Sequence, residues 1–392
     1  MQKVDARMAQ ELDALRRESQ FRTLEIPGGI HLDSNDYLGL AVDPRLSQSV
    51  RDAVSAAPGV GGTGSRLLSG NAREWEEAES TFAEFAETEA ALFFGSGWAA
   101  NIGLLTSILK PGDTVFSDAE NHASLIDGIR LSGAAKAIYP HRDLALLERA
   151  LSECTSSPGA KIIVTETVFS MEGDVAPLEG LLRLARQYRA SIVLDEAHAI
   201  GVHGPEGRGI SGGHIREPEI LAVVHTCGKA LASAGAFVCG TRTLRDYLIN
   251  HARTFIFSTA LPPYFARQIQ SALQLARGAG VERAHLQEIS TLLRQELTSR
   301  GFDCGTSSTQ IVPVILGTNE AALHFAGELQ RKGFSVRAIR PPTVPAGRAR
   351  IRCSLTSRIT VEQIHILVEA MGAARESFTR SNAQAAADAV HA

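Results

Sequence analysis

No apolar stretch in the 392-residue chain is long enough to span a bilayer, and the start, Met1-Gln2-Lys3-Val4-Asp5-Ala6-Arg7, lacks the hydrophobic core of a signal peptide. The expectation is a cytoplasmic protein. Cysteine is sparse: Cys154, Cys227, Cys239, Cys304 and Cys353 are odd in number, scattered and without C-x-x-C spacing. This argues against a disulfide framework and a structural zinc site, and no metal is expected. Most of the five read as small core residues, with Cys227 near a lysine that matters below. A basic stripe interleaved with aromatics is also missing, and the net charge is −4, which argues against nucleic acid as the main partner. There is no internal repeat and no low-complexity linker.

What remains is an ordinary globular composition, 44% hydrophobic and 21% charged, in a chain long enough for two domains. Short apolar runs read as buried strands at 113–116, 137–139, 161–165, 191–195, 221–225 and 236–239, with amphipathic segments such as 144–154 and 177–188 between several of them. That alternation predicts an α/β fold with a mostly parallel sheet covered by helices. After a long helical region, 262–300, the pattern changes to strand 311–316, helix 320–332, strands 335–339 and 350–355, and helix 361–377, a smaller α+β domain. The expected divisions are an N-terminal helix and arm (1–40), a large domain (41–285), a small domain (286–380) and a frayed tail (381–392). The N-terminal helix, 4–18, is expected to pack with the small domain or with a partner chain.

Lys229, in His225-Thr226-Cys227-Gly228-Lys229-Ala230, lies downstream of the apolar strand Ile192-Val193-Leu194-Asp195, which runs on into Glu196-Ala197-His198. A lysine able to form an imine, an acid at a strand end and a histidine beside it suit pyridoxal 5'-phosphate (PLP). The cofactor's aldehyde needs a lysine amine, here Lys229. Its pyridine nitrogen needs a buried anion to stay protonated, here Asp195. The phosphate needs backbone N–H groups at a helix start. Gly95-Ser96-Gly97 follows the apolar run 90–94 and precedes the helical pattern 98–109, so Gly97 and Trp98 are the expected cradle. Thr226, Ser258 and Thr259 offer hydroxyl donors to the same phosphate. Taken singly, a Gly-Lys pair is a turn, a strand-end Asp a cap and a lone His a core residue; only their combination is specific.

Three rival motifs fail on context. Gly59-Val60-Gly61-Gly62-Thr63-Gly64 matches a dinucleotide fingerprint, but the preceding Ser55-Ala56-Ala57-Pro58 is not a buried strand. Asp195-Glu196-Ala197-His198 spells a helicase-type box, yet a phosphate-binding loop ending at Lys229 would need Gly at position 223 and Ser or Thr at 230, where Val223 and Ala230 stand. Gly209-Ile210-Ser211-Gly212-Gly213 fits a nucleophile elbow but sits in the polar, Gly-rich run 203–214 rather than after a strand.

Between about Phe21 and Val368 the chain closely resembles the α-oxoamine synthase family of fold-type I PLP enzymes. The resemblance is carried by Ser34-Asn35-Asp36-Tyr37-Leu38-Gly39-Leu40, Gly62-Thr63-Gly64-Ser65-Arg66, Asn121-His122-Ala123-Ser124, Val168-Phe169-Ser170-Met171-Glu172-Gly173-Asp174 and Arg340-Pro341-Pro342-Thr343-Val344-Pro345. It implies condensation of an amino acid with an acyl thioester and loss of carbon dioxide. The Arg340–Pro345 segment and Gly64–Asn71 lean toward L-alanine and a pimeloyl thioester, on CoA or a carrier protein. Another member, glycine C-acetyltransferase first among them, stays open, as does a catalytically silent PLP-binding protein.

The resemblance assigns Lys229 to the cofactor imine and to removal of the Cα proton, and Asp195 to the pyridine nitrogen. His122 would stack on the ring, His198 would bond its phenolic oxygen, and Ser170 would lie at the same ring edge. Arg352 would clamp the amino-acid carboxylate, for which a bidentate guanidinium is suited. Arg350, two residues earlier, would share its strand face, so neighbouring strands must decide between them. Asn35, Arg340, Thr343 and Arg22 match substrate-binding positions. Ser258 and Thr259 resemble residues that reach a neighbouring subunit's phosphate, which implies a homodimer with shared sites. Ala232 departs from the family, where glycine is frequent.

Overall fold

The computed structural model describes residues 3–57, 59–154 and 159–391. The chain divides into a larger unit of Asp36–Ser170 and Val175–Arg283, and a smaller one of 1–35, 171–174 and 284–392. The expected domains were consecutive stretches, whereas both units are built from separated segments of chain.

In the larger unit seven strands form one sheet: β1 (Ala90–Phe94), β2 (Thr114–Asp118), β3 (Ala135–Tyr139), β4 (Lys161–Glu166), β5 (Ser191–Asp195), β6 (Ile220–Thr226) and β7 (Ala236–Gly240). Their order is β1-β7-β6-β5-β4-β2-β3. β7 runs antiparallel to both neighbours and the remaining pairs are parallel. The central strands read as unbroken apolar runs because both faces are covered. Alternation along them feeds two cores. Val115, Val164, Val193 and Val224 pack with Leu104 and Leu105 of helix Gly97–Ile108. Phe116, Ile163, Ile192, Leu194 and Val223 pack with Leu147 and Leu151 of helix Leu144–Glu153 and Leu181, Leu184 and Ala185 of helix Leu178–Tyr188. The carboxyl ends of β4, β5 and β6 therefore open on one edge, where ligands bind in sheets of this kind.

The smaller unit has a three-stranded antiparallel sheet of β8 (Ile311–Gly317), β9 (Ala338–Ile339) and β10 (Ala349–Ser354), with β10 in the middle. Helices Asn319–Arg331 and Val361–His391 belong to the same unit. The single strand expected at 335–339 is two pieces. Phe334–Ser335 pairs with Ile30–His31 and Ala338–Ile339 with β10, so two sheets claim its ends. The helical region 262–300 is likewise two helices, Pro263–Gly278 and Gly280–Ser299. The N-terminal helix spans Lys3–Arg17 and buries none of its residues in this chain. Of the segment expected to fray, 381–391 continues the last helix and Ala392 lies outside the described residues. Among the described residues no helix is long and apolar enough to cross a membrane.

Candidate active site

Lys229 sits in the connection between β6 and β7. Backbone bonds pin that loop: Cys227 N–H donates to Gly235 O (2.8 Å), Ser233 N–H to Cys227 O (2.9 Å) and Ala232 N–H to Lys229 O (2.8 Å). Ala232 pays for the tight path with a left-handed φ of 43°, the conformation glycine adopts without strain. Gly235, at φ 84°, passes so close to Phe93 that a Cβ would lie 2.2 Å from its Cζ. Burial pushes the Cys227 thiol up, away from the reactive range.

Lys229 lines a cavity of about 260 Å³ together with Ser96, Gly97, Trp98, Asn101, His122, Ser124, Glu166, Asp195, Ala197, His198, Thr226, Gly228 and Gly235. The volume is close to the lower end of small-molecule sites. A larger hollow of about 720 Å³ lies against helices Pro44–Ala56 and Pro263–Gly278, but its lining holds neither lysine nor histidine.

Asp195 closes β5. Its Oδ2 accepts from Asn101 Nδ2 at 2.7 Å and its Oδ1 from the Ala197 N–H at 2.9 Å. Glu166 closes the neighbouring strand as its register partner. Burial first, then the charge of Asp195, raises the Glu166 carboxyl from 4.5 to about 8, with Lys229 and the N–H groups of His122 and Ser170 acting the other way. Its Oε1 has no hydrogen-bond partner. In the turn after β5, His198 Nδ1 lies 2.5 Å from the Tyr37 hydroxyl. Glu196 faces elsewhere: its carboxylate accepts from the N–H groups of Ile210 (3.0 Å) and Ser211 (2.7 Å) and ties down the Gly-rich loop. Ser211 is buried there and is no exposed nucleophile.

The phosphate end is built as the helix start suggests. Ser96 caps helix Gly97–Ile108 by accepting from Ala99 N–H, which leaves the first N–H groups at the cavity. A Cβ on Gly97 would come within 2.7 Å of Thr226 Cγ2, so only glycine keeps the cradle open. An amine, a buried carboxylate, an open helix start and a hydroxyl thus converge as PLP requires. Among the described residues no group of three or more His, Cys, Asp or Glu is placed to hold a metal.

Of the residues proposed to hold the cofactor, Gly97, Trp98, His122, Asp195, His198, Thr226 and Lys229 line the cavity. Ser170, Ser258 and Thr259 do not. Thr259 bridges to Ser65, and both Ser258 and Thr259 line a separate small hollow with Arg66 and Trp75. Arg66 itself is committed to a buried pair with Glu79 (2.9 Å), whose Oε1 also takes the Phe93 N–H (3.0 Å). His122 both lines the cavity and caps helix Ala123–Ser132 through Nδ1. Asn101, Ser124 and Glu166 were not anticipated from the sequence. For Glu166 the signal was present, since it ends an apolar strand as Asp195 does.

The remaining candidates lie in the smaller unit. Arg350 is fully buried, and its Nη1 donates to Glu172 Oε1 (2.7 Å) and Met171 O (3.0 Å). Arg352 instead donates both Nη groups to Asn35 Oδ1 at 3.2 Å, and Ser354 Oγ donates to the same oxygen at 3.1 Å. Arg350 is thus committed to an ion pair, whereas Arg352 donates to a neutral amide. Arg22 Nη2 donates to Pro341 O (3.4 Å) and Thr343 Oγ1 (3.5 Å), while Arg340 reaches the carbonyls of Ser19 and Phe21. Burial and the neighbouring charge of Arg22 lower the Arg340 guanidinium.

The family profile described as aminotransferase class I and II matches residues 27–371. An 8-amino-7-oxononanoate synthase of Citrifermentans bemidjiense is 43% identical over 369 residues, covering 88% of this chain and 92% of that one. Among solved structures, serine palmitoyltransferase of S. paucimobilis with bound PLP–myriocin superposes with a TM-score of 0.87 at 28% identity, covering 94% of this chain and 97% of the other. An 8-amino-7-oxononanoate synthase of Francisella tularensis superposes with a TM-score of 0.76 at 29% identity, covering 90% and 99%.

Proposed function

Because the chain belongs to the aminotransferase class I and II family, we propose that it condenses L-alanine with a pimeloyl thioester, on CoA or on a carrier protein, to give 8-amino-7-oxononanoate for biotin synthesis. One carbon–carbon bond forms between the alanine Cα and the thioester carbonyl; the thiol leaves, and the alanine carboxyl leaves as carbon dioxide. The chain is a fold-type I, PLP-dependent acyltransferase. The observation that carries the finer reading is Lys229 sharing one cavity with Asp195, His122 and His198 in a chain so similar to an enzyme of that name.

When bound, PLP supplies an electron-accepting ring. Lys229 Nζ would hold it and would serve as the base for the amino-acid Cα proton. Asp195, held by Asn101 and the Ala197 N–H, would keep a proton on the ring nitrogen. His198, oriented by Tyr37, would bond the phenolic oxygen, and Ser170, which does not line the cavity, would join it at that edge only through its place next to the strand-end acids. Gly97, Trp98 and Thr226, which line the cavity, would seat the phosphate. Arg352 and Asn35 receive the amino-acid carboxylate, and Arg22, Arg340 and Thr343 meet the acyl donor. Work in the cytoplasm as a homodimer, with Ser258 and Thr259 serving the partner's phosphate, belongs to the same proposal. Val4, Met8 and Leu12, spaced by four along an N-terminal helix that buries nothing in its own chain, support a second copy.

The experiment is thiol release by cofactor-loaded protein given pimeloyl-CoA with alanine, glycine or serine, with the product weighed by mass spectrometry. Alanine is expected to lead by about tenfold or more, the scale a methyl or hydroxyl difference supplies. The likeness to serine palmitoyltransferase favours serine as the second reading, and a serine product with a longer acyl-CoA would select it.

A further inference from the structure

We infer that Asn101 and Ser124 are positioning residues that fix His122 as its Nε2–H tautomer and tie that choice to Asp195. Asn101 comes from helix Gly97–Ile108, His122 and Ser124 from the start of helix Ala123–Ser132, and Asp195 from the end of β5. Asn101 Nδ2 donates one hydrogen to Asp195 Oδ2 at 2.7 Å and the other to Ser124 Oγ at 2.9 Å. Ser124 Oγ in turn lies 2.8 Å from His122 Nδ1, which the Ser124 N–H also approaches at 3.3 Å.

The direction of every proton follows from the two ends. A carboxylate only accepts, so the amide of Asn101 must turn its nitrogen to Asp195. That nitrogen has a second hydrogen, and Ser124 Oγ receives it. The Ser124 N–H can only donate, and it is aimed at His122 Nδ1, so that nitrogen is the acceptor; the serine hydroxyl gives its own hydrogen to the same nitrogen, and the ring proton is left on Nε2. Burial lowers the His122 imidazole, the nearby Lys229 charge adds to this and Asp195 opposes it, so the neutral ring is the one that has to choose a tautomer. The arrangement costs a buried acceptor, since Asn101 Oδ1 has no partner, a cost of the kind met where a polar network is kept for orientation. His122 then offers an N–H donor to the cavity it lines, and never a bare nitrogen.

This deepens the proposed function, on which its catalytic use rests, but the tautomer is readable without any substrate. The protein has 12 histidines, so ring-¹⁵N-histidine labelling with His122→Asn as the assignment control isolates one imidazole, in the cofactor-free and the PLP-loaded protein alike. In the wild type His122 Nδ1 is expected to resonate as an unprotonated nitrogen and Nε2 as a protonated one, with the other tautomer about tenfold or more rarer. In Ser124→Ala and Asn101→Leu the two signals are expected to converge as the tautomers mix, while Ser124→Thr, which keeps the hydroxyl, restores the wild-type pair. A protonated Nδ1 in the wild type, or signals unmoved in both relay variants, would overturn the inference. Absent thiol release with an Nε2–H ring would sink the proposed reaction alone.

Discussion

Glu166 and Asp195 stand as register partners at the ends of adjacent parallel strands, two buried acids on one cavity floor. The folded Glu166 keeps its proton to about pH 8, whereas its ordinary value is 4.5. Between these pH values unfolding releases a proton, so this residue's contribution to stability falls as pH rises from about 4.5 and levels off above about 8. Glu166→Gln removes that slope. Denaturation of the cofactor-free wild type and variant across this window should show the variant gaining on the wild type toward alkaline pH. A difference independent of pH would refute the assignment.

Asp195→Asn exchanges a charge for an amide of the same size and leaves a partner for Asn101. Cofactor is expected to bind, while turnover falls by on the order of 10²–10⁴, the range assigned to a positioned proton-holding group. Full turnover with bound cofactor would contradict the role given to Asp195.

Arg350 and Glu172 form a buried ion pair in the smaller unit. Glu172→Ala strands the guanidinium and should cost about 3–5 kcal/mol, read as a fall in the denaturation midpoint. Replacing both with apolar residues should cost far less. A silent Glu172→Ala would mean that the pair holds nothing together.

Ala232, at φ 43° two peptides beyond Lys229's neighbour, occupies a conformation that costs a side chain about 1–2 kcal/mol. Glycine returns about 0.5–1 kcal/mol of this as backbone entropy on unfolding. Ala232→Gly should therefore stabilise the protein by up to about 1 kcal/mol, and a loss of stability on calorimetry would show that the loop relaxes instead.

The sheet was legible because its central strands are buried on both faces and read as apolar runs. Ser191–Asp195 begins and ends where the pattern does, and the strands at Lys161 and Ala236 each run one residue further. Lys229, Asp195 and His198 were legible because each is announced by its immediate neighbours. Asn101 and Ser124 were not, since they come together only when two helices and a strand end meet, and no local pattern records that meeting. The split of 335–339 between two sheets was hidden for the same reason. His122 looked like either a ring-stacking group or a helix cap; it caps helix Ala123–Ser132 through Nδ1 and also lines the cavity.

The most direct measurement is borohydride reduction of the PLP-loaded protein followed by peptide mapping. The pyridoxyl mass should appear on the peptide carrying Lys229 and vanish in Lys229→Ala; its appearance on another lysine, or on none, would contradict the central claim that this cavity is the cofactor's seat.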